Sequence, residues 1–287
     1  MKKWTTFLLV LLFLAGLSLL LYPTVSNYVN SLHQSRLVAD YMHGVSELSD
    51  DRKTNLFSQA ESYNRYLAEY PMHLTLSEAE LAEYRGVLDV SGTGVMGYLE
   101  IPKIGVSLPI YHGTEETVLE FAVGHLPGTS VPVGGPSTHA VITGHTGLPS
   151  ARLLTDVEKL DPGDIFYVQI MDETLTYEVD QIRVVLPEVT KDLEIAPGED
   201  YVTILTCTPY GVNSHRLLVR GHRIETAKEN IMRFAADALQ IDPLIVMPFL
   251  AAPILLLIFL LVMLAPNREK KRKQTMSKLR NQIESNP

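Results

Sequence analysis

The chain of 287 residues has one cysteine, Cys207, at the end of the apolar run Tyr201-Val-Thr-Ile-Leu-Thr-Cys207 and just before the turn-forming Thr208-Pro-Tyr-Gly211. A lone thiol makes no intramolecular disulfide. It is a small buried hydrophobe, an intermolecular bridge or a nucleophile. As a nucleophile it must be a thiolate, and a free thiol pKa of ~8.5 calls for a neighbouring cation or base at neutral pH. His145 is placed for that work in Val141-Ile-Thr-Gly-His-Thr-Gly-Leu148, directly after an apolar strand and between glycines that leave room for a side chain at the strand end. On spacing alone His112, His125 and His139 compete with it. Arg216 is more constrained. Residues 209–214 read as the loop joining two strands, so Cys207 and Arg216 fall at the same end of neighbours, where paired side chains sit ~5 Å apart. A guanidinium there could lower the thiol pKa, hold a substrate carbonyl or stabilise an oxyanion. Period-two alternation puts Arg216, Leu218, Arg220 and His222 on one face, so Arg220 is an alternative by orientation, and proximity to the strand start favours Arg216.

The elements that must hold these groups lie in residues 92–226, where short runs rich in Val, Ile, Thr and Tyr alternate with Gly, Pro, Asn and Asp clusters. That is the pattern of an all-β sandwich or barrel. Strands are expected at 96–101, 107–111, 138–143, 164–170, 175–186, 201–207 and 216–224. Residues 26–91 form a polar helical arm, with Val38, Tyr41, Met42, Val45 and Leu48 at three- and four-residue intervals. Tyr70-Pro71-Met72 interrupts the arm, and Thr75-Leu-Ser-Glu78 restarts it as a capping box.

Two apolar segments flank this body. Residues 244–264 are uncharged and long enough, at ~1.5 Å per residue, to cross the ~30 Å hydrocarbon layer. A basic stretch, Arg268-Glu-Lys-Lys-Arg-Lys273, follows and places the tail 265–287 in the cytoplasm, with residues 227–243 as a linker before the span. At the other end Lys2 and Lys3 precede the apolar run 7–21, so residues 1–25 read as a signal anchor, retained in preference to a cleaved signal peptide. Both termini are then cytoplasmic and the body between is outside the cell. The two tails hold nine of the 24 Lys and Arg and only two of the 33 Asp and Glu, which leaves the body at a formal −16 and argues against nucleic acid as a partner. No HExxH or CxxC spacing and no phosphate-binding glycine loop occurs, so neither a metal nor another cofactor is expected.

Thr203-Ile-Leu-Thr-Cys207 with its Cys-Thr-Pro-Tyr-Gly turn, Ser214-His-Arg-Leu-Leu-Val-Arg-Gly221 and Gly144-His-Thr-Gly-Leu148 together resemble the sortases, most closely the pilus-assembling class C group. Gly97-Tyr-Leu-Glu-Ile-Pro102, Leu108-Pro-Ile-Tyr-His-Gly113 and Val133-Gly-Gly135 extend the resemblance across the β region. It implies a mainly β fold: a closed sortase-type β-barrel with an N-terminal helical arm or lid and flanking transmembrane helices. It further implies Cys207 as nucleophile, His145 as acid/base and Arg216 as the substrate-orienting, oxyanion-supporting residue. The implied partners are proteins with an LPXTG-like sorting signal and the lysine amine of another pilin. A housekeeping sortase that anchors proteins to cell-wall peptide would use the same groups, and a non-catalytic membrane-tethered scaffold would use none of them. Two departures from the family pattern stand out. Ile204 replaces a leucine of similar volume. More consequentially, the Asp-Pro-aromatic lid of class C aligns with Tyr70, Pro71 and Met72, which lack the aspartate and put a thioether where the aromatic belongs, so a weaker lid is expected.

Overall fold

The computed structural model describes residues 2–70, 72–90 and 92–226. Pro71 and the expected linker 227–243, span 244–264 and tail 265–287 lie outside the described residues.

Three helices precede the barrel. Helix α1 (Lys2–Glu47) joins the expected anchor and the first part of the arm into one continuous element. Pro23 lies inside it, where the missing N–H removes one backbone hydrogen bond without ending the helix. Val38, Tyr41, Val45 and Leu48 face the core as their spacing requires, whereas Met42 of the same series is exposed. Helix α2 (Asp50–Glu69) starts at an Ser49 cap and buries Leu56, Ala60, Asn64 and Leu67 at three- and four-residue steps. Helix α3 (Glu78–Gly86) does begin with a capping box, but its members are Ser77 and Glu80, two residues beyond the expected Thr75 and Glu78. Ser77 also donates its backbone N–H to Glu80 Oε2 at 2.7 Å, so one carboxylate closes the box from both sides.

Eight strands follow: β1 (Val95–Ile101), β2 (Val106–His112), β3 (Val123–His125), β4 (Thr138–Thr143), β5 (Ile165–Ile170), β6 (Glu173–Val185), β7 (Asp200–Thr208) and β8 (His215–Ile224). They close into a barrel in the order β1-β2-β3-β4-β7-β8-β6-β5. Seven were expected to within two residues. The three-residue β3 and the one-turn helix α4 (Glu116–Leu119) before it are too short for periodicity to reveal. β3 is nevertheless the bridge between the two halves: it runs parallel to β2 and antiparallel to β4.

Alternation assigns the two faces of β7. Val202 and Ile204 point into the barrel core, and Leu205 belongs to a separate apolar cluster on the outer face with Val141, Leu193 and Leu218. By the same alternation Cys207 lies on that outer face.

Candidate active site

Cys207 pairs with Arg216 across the antiparallel β7–β8 ladder, and Thr208 with His215, so the loop 209–214 returns the chain directly beside the thiol. This is the juxtaposition that loop length predicted. Cys207 is free and partly buried. Arg216 donates from Nη1 to the carbonyls of Asn213 at 3.2 Å and His215 at 3.1 Å, which holds one edge of its guanidinium against the loop.

His145 reaches this end through β4, which runs parallel to β7 with Thr143 opposite Leu205. Gly144 then fastens the strand exit to β7 in both directions: its N–H donates to the Leu205 carbonyl at 3.2 Å, and its carbonyl accepts from Thr206 Oγ1 at 2.8 Å. These two bonds lead the chain into His145 at the same end of β7 that carries Cys207. The imidazole side chain is 27 % exposed and its Nε2 lies 3.1 Å from Oε1 of Glu116, a carboxylate that is itself 73 % exposed. Nothing in the sequence marked Glu116, because its proximity depends on the β3 bridge.

The competing histidines occupy different environments. His112 is held between the backbone carbonyls of Gly94 and Val87. His125 is fully buried, donates from Nε2 to the Ser130 carbonyl at 2.8 Å and accepts from the Tyr84 hydroxyl at Nδ1, 2.9 Å; burial depresses its pKa to about 4. His139 donates from Nδ1 to the Glu194 carbonyl and accepts from Thr203 Oγ1 at Nε2, and burial lowers its pKa as well. Buried imidazoles with both nitrogens bonded to the fold brace loops and have no route to a substrate. Arg220 is engaged similarly: it grips Asp180 with two hydrogen bonds of 3.0 and 2.7 Å and lies 4.1 Å over the Tyr201 ring. Arg216 is the arginine of this face opposite the thiol.

The arm crosses the same face. Met72 packs on the outer apolar cluster formed by Val141, Leu193 and Leu218, together with Leu126, Val185 and Leu205. Leu205 precedes Cys207 on that face by two residues, about 7 Å along the strand. The chain after Met72 runs tightly against Gly128, where an added Cβ would fall well inside van der Waals contact with the His73 carbonyl oxygen and 3.4 Å from Leu74 Cα. His73 Nε2 in turn lies 3.2 Å from Glu80 Oε1 of the α3 capping box. Tyr70 instead points outward, exposed and tilted against Tyr66 with ring centroids 4.8 Å apart. Of the two described residues of this triplet, Met72 is therefore the one seated on the apolar cluster.

A partly buried thiol, an imidazole and a guanidinium at one strand end, beside an outer apolar cluster, can perform nucleophilic acyl transfer. The comparisons with known proteins agree with this geometry. Residues 99–224 match the model of the sortase domain. Sortase A of Streptococcus agalactiae is 27 % identical over 146 residues, which span 48 % of this chain and 59 % of that relative. Among solved structures, sortase C1 of Streptococcus agalactiae is 47 % identical with a TM-score of 0.66, and the match covers 67 % of this chain and 100 % of that one. The X-ray structure of Clostridium perfringens sortase C with the C-terminal cell wall sorting motif is 41 % identical with a TM-score of 0.59, covering 67 % of this chain and 99 % of that one. The barrel, its matched residues and the near-complete coverage of these solved chains lead to one assignment: the chain belongs to the sortase family of cysteine transpeptidases, with class C sortases among its structural neighbours.

Proposed function

We propose that this protein is a membrane-anchored transpeptidase that cleaves an LPXTG-like sorting signal and joins the acyl fragment to a lysine amine of another pilin subunit. The observation that carries the reading is the cross-strand pair of Cys207 and Arg216, with the β4 exit fastened beside it through Gly144. In the proposed cycle Cys207 Sγ attacks the threonine carbonyl of the signal, and Arg216 donates to the oxyanion that forms. Collapse expels the glycine amine, which takes a proton from His145 and leaves a thioester on Cys207. The acceptor lysine amine then attacks the thioester, gives its proton to His145 and releases Cys207. The amide broken and the amide formed are equivalent, so no cofactor enters.

The anchor in this reading is the apolar N-terminal part of α1, where Leu8, Leu12, Leu19 and Leu20 are exposed as a lipid-facing helix requires. The expected span 244–264 would form a second anchor and place both termini in the cytoplasm. Met72 and its neighbours would act as a lid over the outer apolar cluster beside Cys207, held by packing with no lid aspartate to form an ion pair. Two features favour pilin polymerisation: the helical arm, and the 41–47 % identity to class C structures, one of them described with a cell wall sorting motif. A housekeeping reaction, with a cell-wall peptide as acceptor, is favoured by the similarity to a sortase A, though at only 27 % identity.

The decisive experiment incubates the full chain with an LPXTG-like peptide and a lysine-bearing pilin domain, and follows both by mass spectrometry. A thioester adduct on Cys207 followed by an isopeptide to the pilin lysine is expected, with neither product from Cys207→Ala. Covalent pilin ladders that persist with Cys207→Ala, in cells lacking other sortases, would refute the assignment. An adduct that resolves only onto cell-wall peptide amines would select the housekeeping reaction.

A further inference from the structure

The two ends of the barrel differ in their surface. Val184, Leu186, Val189, Tyr210 and Val212 are the large apolar side chains exposed on the described barrel, and Tyr210 and Val212 are 64 % and 69 % exposed. All five lie at one end. Val184 pairs with Leu217 and Val185 with Arg216 where β6 finishes; Leu186 and Val189 follow in the loop to β7; Tyr210 and Val212 form the tip of the β7–β8 loop. This is the end that carries Cys207 and His145. A solvated barrel rim has no reason to gather its exposed apolar side chains this way.

Helix α1 shows what lies beyond that rim. At its far, C-terminal part, Tyr41 donates its hydroxyl to the Met96 carbonyl and accepts from Met171 N, both at 2.8 Å, and in α2 Lys53 pairs with Asp172. Met171 and Asp172 form the β5–β6 turn, at the opposite end of the barrel from Cys207. Nearer its start, Asn27 Oδ1 accepts from Arg152 N and Asn30 Nδ2 donates to the Ser150 carbonyl, both at 2.8 Å. Ser150 and Arg152 belong to the loop that begins at His145, and Leu154 N closes that loop onto the His145 carbonyl at 3.2 Å. Helix α1 therefore runs from the catalytic end to the opposite end, and its apolar span leaves from the catalytic end.

The distances are short. Trp4 and Tyr22, both exposed, bracket the apolar stretch; as interfacial aromatics they would sit about 27 Å apart along the helix, close to the thickness of the hydrocarbon layer. From Tyr22 to Asn27 the helix rises about 8 Å, and even a fully extended chain would span no more than about 18 Å. A bend at Pro23 cannot move the catalytic end away from the bilayer by more than that. Tyr210 shares this end, because a Cβ at Gly147, in the His145 loop, would come within 3.0 Å of its ring.

We infer that the apolar collar of Tyr210, Val212, Leu186 and Val189 rests on the outer lipid surface, so that the barrel stands catalytic end down and the thiol works at the membrane interface. The inference rests on the reading of α1 as a membrane anchor. Aromatic and aliphatic tips at a loop end suit the headgroup region, where each contributes apolar burial without crossing the bilayer.

Tryptophan quenching tests both readings separately. Trp4 is the only tryptophan of the chain. The full chain is reconstituted in vesicles of phosphatidylglycerol and phosphatidylcholine, with lipids brominated high on the acyl chain as quencher. Trp4 in the unaltered protein reports on the anchor. In a Trp4→Phe background, Tyr210→Trp reports on the collar and Glu173→Trp on the opposite end of the barrel. Quenching of Tyr210→Trp comparable with that of Trp4, with Glu173→Trp unquenched, is the expected result, and Val212→Trp should repeat it if the Tyr210 variant folds poorly. Quenched Trp4 with both collar tryptophans as dark to the lipid as Glu173→Trp overturns the inference while leaving the anchor in place. Unquenched Trp4 overturns the anchor and the inference together. A collar tryptophan that shifts its emission only on addition of a pilin domain, and never with brominated lipid, assigns the collar to a protein partner and likewise overturns the inference.

Discussion

Replacing Gly128 by alanine should expose Cys207 without touching it. Gly128 has φ +87°, and the Cβ of an alanine there would overlap the His73 carbonyl oxygen. One side of this contact must move. The Gly128 side is held firmly: Leu126 N donates to the Val141 carbonyl, Val131 N to Asn64 Oδ1, and His125 to the Ser130 carbonyl. The 72–74 side is held by Met72 on its apolar cluster and by the partly exposed His73–Glu80 pair. The weaker side is displaced. Unseating a half-buried methionine forfeits about 1–2 kcal/mol of apolar burial, which raises the open population about 5- to 30-fold. With opening fast relative to chemistry, alkylation of Cys207 by a small iodoacetamide reagent should accelerate by the same factor. Positive φ costs alanine about 1–2 kcal/mol by itself, so Gly163→Ala, at φ +95° with open space around the new Cβ, is the control for strain alone. Gly163→Ala should label at the wild-type rate. Equal labelling of Gly128→Ala and wild type in folded protein, or equal acceleration in both variants, would refute the argument that this segment restricts access to the thiol.

Four further outcomes follow from the same geometry. Arg216→Lys keeps the charge but loses the planar fork, and kcat/KM for peptide cleavage should fall on the order of 100-fold, with cleavage kinetics as the readout. Glu116→Gln, by contrast, removes an exposed partner of His145 worth less than about 1 kcal/mol, so the same assay should change by no more than about 5-fold. Asn64→Ala leaves the Val131 N–H and carbonyl without their 2.8 and 2.9 Å partners beneath α2, and should cost about 2–4 kcal/mol in denaturant unfolding. For pH, the folded pKa of His125 is depressed by burial to about 4, below an unfolded value near 6.5, so the neutral form is the one the fold accommodates. Its contribution is complete above pH 6.5 and is lost as pH falls from there to about 4, a loss of about 3 kcal/mol measurable as a falling Tm. His125→Gln should flatten that fall.

The Cys207–Arg216 pair was legible in the chain because a six-residue loop between two alternating runs leaves little choice of partner. Strand positions were legible for the same reason, since a two-residue side-chain period is a local property. His145 was singled out by its likeness to the family motif, while spacing alone left four histidines open. Four histidines followed or lay in apolar runs, and burial separated them: the fold encloses His125 and His139 in hydrogen bonds and leaves His145 at a strand exit. That exit meets Cys207 only through the parallel pairing of β4 with β7, some 60 residues apart, which depends on the whole barrel closing. The Tyr70-Pro71-Met72 segment stood out in the sequence as an interruption of the arm, yet only packing showed that Met72 sits on the outer apolar cluster while Tyr70 turns out to solvent. Chemistry and strand order are written in residue types and short spacings; which histidines are enclosed, where Met72 packs and which end of the barrel meets the apolar part of α1 depend on contacts between segments far apart in the chain.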